Sequence, residues 1–289
     1  MPRARLLGRL AAVVALASGA SLLTSCAGAD EAPPLPDGLS VEVRQSRLDA
    51  ADGILVVGFT NAGPEPVTID GFELRSPTLE PGMSYADPFE LRADGGKLDI
   101  RIERTPTVCD ANADPADATV FVEATTAEGP RDGELRPDDP FDTLPRLVDT
   151  DCLADSVAAV ADIRMPETLR SEGAGLDRRA YLDVLVEPVA TGDLTMHLGT
   201  VYGTTLLNAE GGTDWVIDRD VAAGDAPFTI SLPVKPARCD AHAIADDKRG
   251  TILPFEITTS DGRAGRLDRP AGDALKSELY AYYDERCGL

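Results

Sequence analysis

Apolar and polar residues alternate with a period of two over much of this chain. Ser40-Val41-Glu42-Val43-Arg44 and Val160-Ala161-Asp162-Ile163-Arg164 alternate, as does Val67-Thr68-Ile69-Asp70-Gly71-Phe72-Glu73-Leu74. That period sends successive side chains to opposite faces of a sheet, so each segment predicts a strand with one buried face. Residues 54–60 predict a strand by β-branched content, and Asn61-Ala62-Gly63-Pro64 predicts the turn after it. Residues 181–186, 194–202, 98–103 and 228–232 extend the pattern. Short strands broken by Gly, Pro and Asp every eight to twelve residues predict an antiparallel sandwich or barrel. One segment departs from it. Across residues 273–286, Leu275, Leu279 and Tyr282/Tyr283 recur at helical spacing, with Asp273 placed to cap the helix. Residues 141–151, with Leu144, Leu147 and Val148, predict a matching short helix.

The chain contains itself twice. Pro106-Thr107-Val108-Cys109-Asp110-Ala111-Asn112-Ala113 matches Pro236-Ala237-Arg238-Cys239-Asp240-Ala241-His242-Ala243. Val122-Glu123-Ala124-Thr125-Thr126 then matches Phe255-Glu256-Ile257-Thr258-Thr259, and Gly129, Leu135 and Pro137 match Gly262, Leu267 and Pro270. Each copy closes on a leucine-bearing stretch and a second cysteine. Repeats of this kind mark a duplicated unit. The predicted fold class is therefore mostly β: two tandem β-sandwich (Ig-like) repeats, residues 39–155 and 156–289, each ending in a short disulfide-stapled helix. Ig-like is an architectural analogy here, because the single Trp215 precedes both cysteines of its repeat and no Cys…Trp…Cys pattern exists.

The N-terminus carries a different pattern. Arg3, Arg5 and Arg9 precede an apolar run over residues 10–23, which ends Leu23-Thr24-Ser25-Cys26. A short apolar run behind a basic start is an export signal and is too short for a transmembrane helix. Leu-Thr-Ser-Cys resembles the lipobox of bacterial lipoproteins. The resemblance covers residues 1–26 and implies removal of residues 1–25 and a diacylglyceryl group on Cys26. It also implies anchorage on the outer face of the bacterial cytoplasmic membrane, so the membrane is one partner, reached through that lipid. Residues 26–38 read as an acidic, Pro-rich tether. Extended as polyproline II, it would reach roughly 35 Å at about 3.1 Å per residue.

With 27 basic and 50 acidic residues, the chain has a net charge of −23. The export signal holds three of the arginines and no acid, so its removal deepens the imbalance. Such a charge excludes nucleic acid as a partner and excludes binding of the protein body to anionic lipid. Setting Cys26 aside, four cysteines remain in an exported chain, with three possible pairings. The repeat selects Cys109 with Cys152 and Cys239 with Cys287, separated by 43 and 48 residues.

No catalytic signature is present: no Gly-x-Ser-x-Gly, His-Glu-x-x-His, Gly-x-x-x-x-Gly-Lys or Ser-x-x-Lys. The chain reads as non-enzymatic, with no cofactor and no metal site. His197 and His242 are its two histidines, too few for a His-rich metal centre. His197 reads as a half-buried sheet residue. Asp110-Ala111-Asn112-Ala113-Asp114 opens like a calcium loop, but Pro115 and Phe121 stand where Gly and Glu are required, so it reads as a turn. The densest polar cluster is Arg238, Asp240, His242 and Asp246. The first repeat keeps its Cys-Asp-Ala frame but has Val108 and Asn112 for Arg238 and His242, so folding does not require those two side chains. The cluster is therefore the candidate recognition site. The sequence reads as a lipid-anchored binding or interaction module for a protein, a wall component or a small ligand. The alternative is a cation-binding or accessory protein using the acidic loops near Cys109 and Cys239.

Overall fold

The computed structural model describes residues 33–289 except 241, 243, 245, 246 and 248. The predicted export signal, the predicted lipidation site Cys26 and Asp246 of the predicted cluster lie outside the described residues. The protein is mostly β, with several antiparallel sheets and two disulfides.

The first half contains β1 (Leu39–Arg44), α1 (Arg47–Ala51), β2 (Ile54–Asn61), β3 (Val67–Arg75), β4 (Met83–Tyr85) and β5 (Phe89–Leu91). It continues with β6 (Gly96–Glu103), β7 (Thr119–Thr126), β8 (Gly129–Leu135) and α2 (Thr143–Ala158). Strands β1-β2-β6 form one sheet and β4-β3-β7-β8 another, with β5 also on β3. The second half contains β9 (Ala161–Arg164), β10 (Arg170–Glu172), β11 (Arg179–Pro188), β12 (Thr195–Val201) and β13 (Leu207–Ala209). There follow β14 (Trp215–Ala222), β15 (Phe228–Pro236), β16 (Ile252–Thr259), β17 (Ala264–Pro270) and α3 (Asp273–Cys287). Here β10-β11-β15-β13 form one sheet, with β9 also on β11, and β14-β12-β16-β17 form the other.

Alternation decides which residues meet. Leu55, Val57 and Phe59 of β2 face inward with Val120, Val122 and Ala124 of β7. In the second half Leu182, Val184 and Val186 of β11 face Leu253, Phe255 and Ile257 of β16. Each inward set belongs to its own core cluster. Both β3 and β12 slip register beside a glycine, Gly71 and Gly199. At Gly71 a Cβ would lie 3.1 Å from the Tyr85 carbonyl oxygen, so the bulge needs a residue without one.

Helix α2 belongs to both clusters. Leu144 and Leu147 pack into the first, Leu153 and Val157 into the second. At about 100° per residue these pairs point to different sides of the helix, so α2 is covered on both. It has 16 residues and continues well past the stretch that the leucine spacing predicts. Asp139 caps it, its carboxylate accepting from the Thr143 and Leu144 amides at 2.6 and 2.8 Å. The Ser156 hydroxyl donates to Asp261 at 2.6 Å, tying the last turn to the β16–β17 turn. Cys109 joins Cys152 on α2, and Cys239 joins Cys287 at the end of α3.

Two local expectations change. Asp273 is the first helical residue of α3 rather than its cap. The capping position is Gly272, whose backbone is extended and which offers no side-chain oxygen. The end of the predicted tether is not extended into solvent. Leu35 is half-buried against the first core, with its Cγ 3.3 Å from where a Gly133 Cβ would stand. Gly38, at φ +86°, accepts from the Ala62 amide at 2.9 Å. A Cβ there would lie 2.8 Å from the Gly63 nitrogen, a contact only glycine permits. Among the described residues, no helix is long and apolar enough to cross a membrane.

Candidate functional site

Of the predicted cluster, Arg238 and Asp240 lie in a segment pinned to α3, and His242 stands in helical backbone just beyond it. Disulfide Cys239–Cys287 holds one side, and the Tyr283 hydroxyl donates to the Arg238 carbonyl and accepts from the Asp240 amide. Asp240 spends its carboxylate locally, accepting from the His242 amide at 2.9 Å and facing its ring nitrogen Nδ1 at 3.2 Å. The His242 amide, with the ring beside it, holds the Asp240 carboxyl below the usual carboxylate range. Arg238 is exposed and the His242 side chain is 87% exposed. Neither lines a described cavity. The structure therefore brings Asp240 and His242 together, the Asp240 carboxylate capping the helical backbone at His242, and leaves Arg238 exposed beside them.

The calcium-like segment is also a turn. Asp110 accepts from the Asn112 amide and side chain, and Asp114 caps a short 3-10 turn through the Ala116 amide. Among the described residues, no group of three His, Cys, Asp or Glu side chains is placed to hold a metal. His197 lies on β12 opposite Asp220, with Nδ1 2.8 Å from its carboxylate.

A more enclosed site forms on the outer face of the first half, from residues far apart in sequence. Cross-strand register aligns Arg44 of β1, Val56 of β2 and Arg101 of β6 in one row. The next row holds Glu42, Gly58 and Asp99. Arg44 crosses β2 to pair with Asp99. It does so over Gly58, where a Cβ would stand 3.0 Å from the Asp99 Oδ1 and 3.4 Å from the guanidinium. Helix α1 borders the row. Ser46 and Asp49 form a reciprocal capping box, and the buried Asp49 carboxylate pairs with Arg101. Hydrogen bonds from Ser46 hold the Asp49 carboxyl below its ordinary range, with the Arg101 charge adding to them. From the start of α2 come Arg146 and, just before the helix, Phe141, which is 60% exposed. Together these residues enclose a hollow of about 610 Å³.

A second hollow of about 370 Å³ shares Gln45, Ser46 and Arg146 with the first and adds Arg47, Arg104 and Arg249. Six arginines and three aspartates (Asp49, Asp99 and Asp151) line the two. Arg44, Arg101, Arg104 and Arg249 pair with carboxylates. Arg47 and Arg146 have no carboxylate partner among the described residues. Thr143, 1% exposed, borders the second hollow with its hydroxyl unpaired in the same sense. A third hollow, of about 500 Å³, lies between residues 33–37 and the β2–β3 turn; its one arginine, Arg131, pairs with Glu128. Sequence reasoning passed over the first two because no single segment carries them. The Ser46-x-x-Asp49 capping box was the one local signal at the site.

No protein-family model matches the chain, and no curated protein matches it. Among solved structures, red sea bream transglutaminase aligns with 83% of this chain and 32% of its own, at 9% identity and a TM-score of 0.21. The BSP domain of a biofilm-associated protein aligns with 83% of this chain and 59% of its own, at 6% identity and a TM-score of 0.23. The Amycolatopsis orientalis exo-chitosanase aligns with 79% and 26%, at 12% identity and a TM-score of 0.20. The chain thus spans from about a quarter to three fifths of those proteins, and likenesses this weak carry no argument about its role.

Proposed function

We propose that this protein is a non-enzymatic binding module of two tandem Ig-like β-sandwiches, anchored by lipid on Cys26 to the outer face of the bacterial cytoplasmic membrane. The observation that carries the binding role is the pair of connected hollows. They give a strongly acidic chain one recess whose lining has more cations than anions. Two features support the tandem reading. Strand connections β1-β2-β6 and β3-β7-β8 recur as β9-β11-β15 and β12-β16-β17, and each half has a helix bearing its second disulfide cysteine. The lipobox-like Leu23-Thr24-Ser25-Cys26 supports the anchor, and no nucleic-acid or catalytic role is drawn.

Metabolic labelling with a palmitate analogue tests the anchor. Label should enter the parent and be lost in Cys26→Ser. Label retained in Cys26→Ser, or absent from the parent, overturns the anchored reading.

A further inference from the structure

We infer that the arginine-lined hollows, set on the first half and bordered by Arg249 of the second, bind an acidic sugar oligomer, its anionic groups on Arg47 and Arg146 and a sugar ring on Phe141. This rests on the binding role proposed above and names its ligand class.

Four observations carry it. First, the charge is local and of the wrong sign for the chain: six arginines face three aspartates in a protein of net charge −23. A recess of this kind concentrates field and favours an anion. Second, the arginines in ion pairs are fixed and the others are available, Arg146 through its terminal nitrogens, since its Nε donates to the Asp142 carbonyl at 3.2 Å. Arg44 and Arg101 are held by Asp99 and Asp49 at either side of Val56, whereas Arg47 and Arg146 have no carboxylate among the described residues. Guanidinium forks present donors that match carboxylate or phosphate bidentately. Third, Phe141 lines the first hollow together with Arg146 and keeps most of its surface in water, so its ring is open to a ligand whose anionic groups reach Arg146 and, in the adjoining hollow, Arg47. A ring ligand with acidic substituents satisfies Phe141 and the arginines at once. Fourth, the second half lacks the device on the same scaffold. Its corresponding row is Arg164, Leu185 and Thr229, with one cation in place of two. Arg164 there is occupied by Asp162 and Glu187, and β10 stands where α1 stands in the first half. The sheet therefore does not need the second arginine or α1 in order to fold.

The shared recess across Gln45, Ser46 and Arg146 makes room for more than one sugar unit, so an oligomer is favoured over a single acid. Carboxylate on a uronic acid and phosphate on a sugar are equivalent to these forks, and the probes separate them.

The test is titration calorimetry of the full mature chain with trigalacturonate, a phosphorylated sugar trimer, neutral chitotriose and inorganic pyrophosphate. Either acidic sugar should bind with sub-millimolar affinity that falls as salt rises, and chitotriose should not bind. Arg47→Ala with Arg146→Ala should weaken binding at least tenfold, and Phe141→Ala should weaken it severalfold, with the melting temperature unchanged in each. Preference for one acidic trimer identifies the acid. The inference is overturned if neither acidic trimer binds below about 1 mM, if chitotriose binds equally, or if the arginine variant binds as the parent does. Pyrophosphate binding as tightly as both trimers overturns the role of the ring. These outcomes are independent of the labelling of Cys26, so the anchor and the ligand fail separately.

Discussion

Replacing Leu153 by alanine should unfold the second half more easily, although Leu153 lies in the helix that follows the first. The side chain is almost fully buried in the second cluster, with a δ-methyl 3.2 Å from where a Gly265 Cβ would stand. Truncating a leucine so enclosed removes the γ-methine and two δ-methyls and leaves a cavity, a loss of about 2–5 kcal/mol. With a urea dependence of about 1–3 kcal/mol per molar for a unit of this size, the midpoint should fall by about 1–2 M. The chain supplies its own reporter. Trp215 is the only tryptophan, lies 6% exposed in the second cluster, and donates its indole N–H to the Pro233 carbonyl at 2.8 Å. Its fluorescence therefore follows the second half alone, while far-UV circular dichroism follows both. The companion variant Leu147→Ala truncates the other side of the same helix, in the first cluster. It should move the dichroism transition and leave the Trp215 midpoint in place. A Trp215 midpoint unmoved by Leu153→Ala, or moved equally by both variants, would refute the assignment of the two helix sides to separate cores.

Two further outcomes follow from particular side chains. Burial pushes the Tyr282 phenol up to about 12, and its hydroxyl donates to the Val234 carbonyl at 2.7 Å. Between pH 10 and 12 the unfolded chain ionises this phenol while the folded chain does not. Stability present below pH 10 is therefore lost as pH rises, by about 3 kcal/mol for two units. Tyr282→Phe should flatten that alkaline fall in a pH series of urea melts, leaving the part due to Tyr280, whose pKa burial also raises to about 12. A slope identical to the parent's would contradict the burial argument. In the loop at 238–242, Arg238→Ala with His242→Ala should shift stability by no more than about 0.5 kcal/mol, because both side chains project into solvent. A larger loss in thermal melts would make this loop part of the scaffold.

The longer strands of the first half were legible where one face is buried and period two survives in the residues themselves, as at Val41 and Val43 of β1 and Val67 and Ile69 of β3. Helix α3 was legible for the same reason at its own period, since Leu275, Leu279, Tyr282 and Tyr283 are all buried against one core. Helix α2 was only half legible. Leu144 and Leu147 announce an amphipathic helix, but Leu153 and Val157 cover a different side, so the apolar stripe does not continue and the helix reads as ending early. The cysteine pairs were legible through the duplication, which narrows three pairings to one. The arginine hollows were not legible. Arg44, Arg101 and Arg146 lie in three separate segments, and only strand register and the start of α2 bring them together. The segment around Asp240 and His242 stands out by its density of polar residues in sequence, and there the Asp240 carboxylate caps the His242 amide beside a disulfide.

The docked end of the tether relates the proposed anchor to the proposed site. Chain direction fixes the geometry: residues 35–38 lie against the β2–β3 turn at the start of β1, held by Leu35 in the core and by the Gly38–Ala62 hydrogen bond. Arg44 closes the other end of β1, five residues on from Leu39. At about 3.3 Å per residue the arginine row therefore stands roughly 17 Å along the strand from the point where the tether meets the sandwich. With lipid on Cys26, only the residues before Pro33 are left to span from membrane to sandwich, at most about 20 Å if extended at roughly 3.1 Å each. On the proposed anchor, the tether's docking point would lie within that reach of the bilayer, leaving room for the Arg44–Val56–Arg101 row to stand up to about 17 Å beyond it. A recess that must meet anionic oligomers gains from that placement, because an anionic bilayer surface would repel the same ligand within a Debye length of about 8 Å at physiological salt. In that arrangement the Leu35 contact would shorten the free link and so limit how far from the membrane the proposed ligand is met.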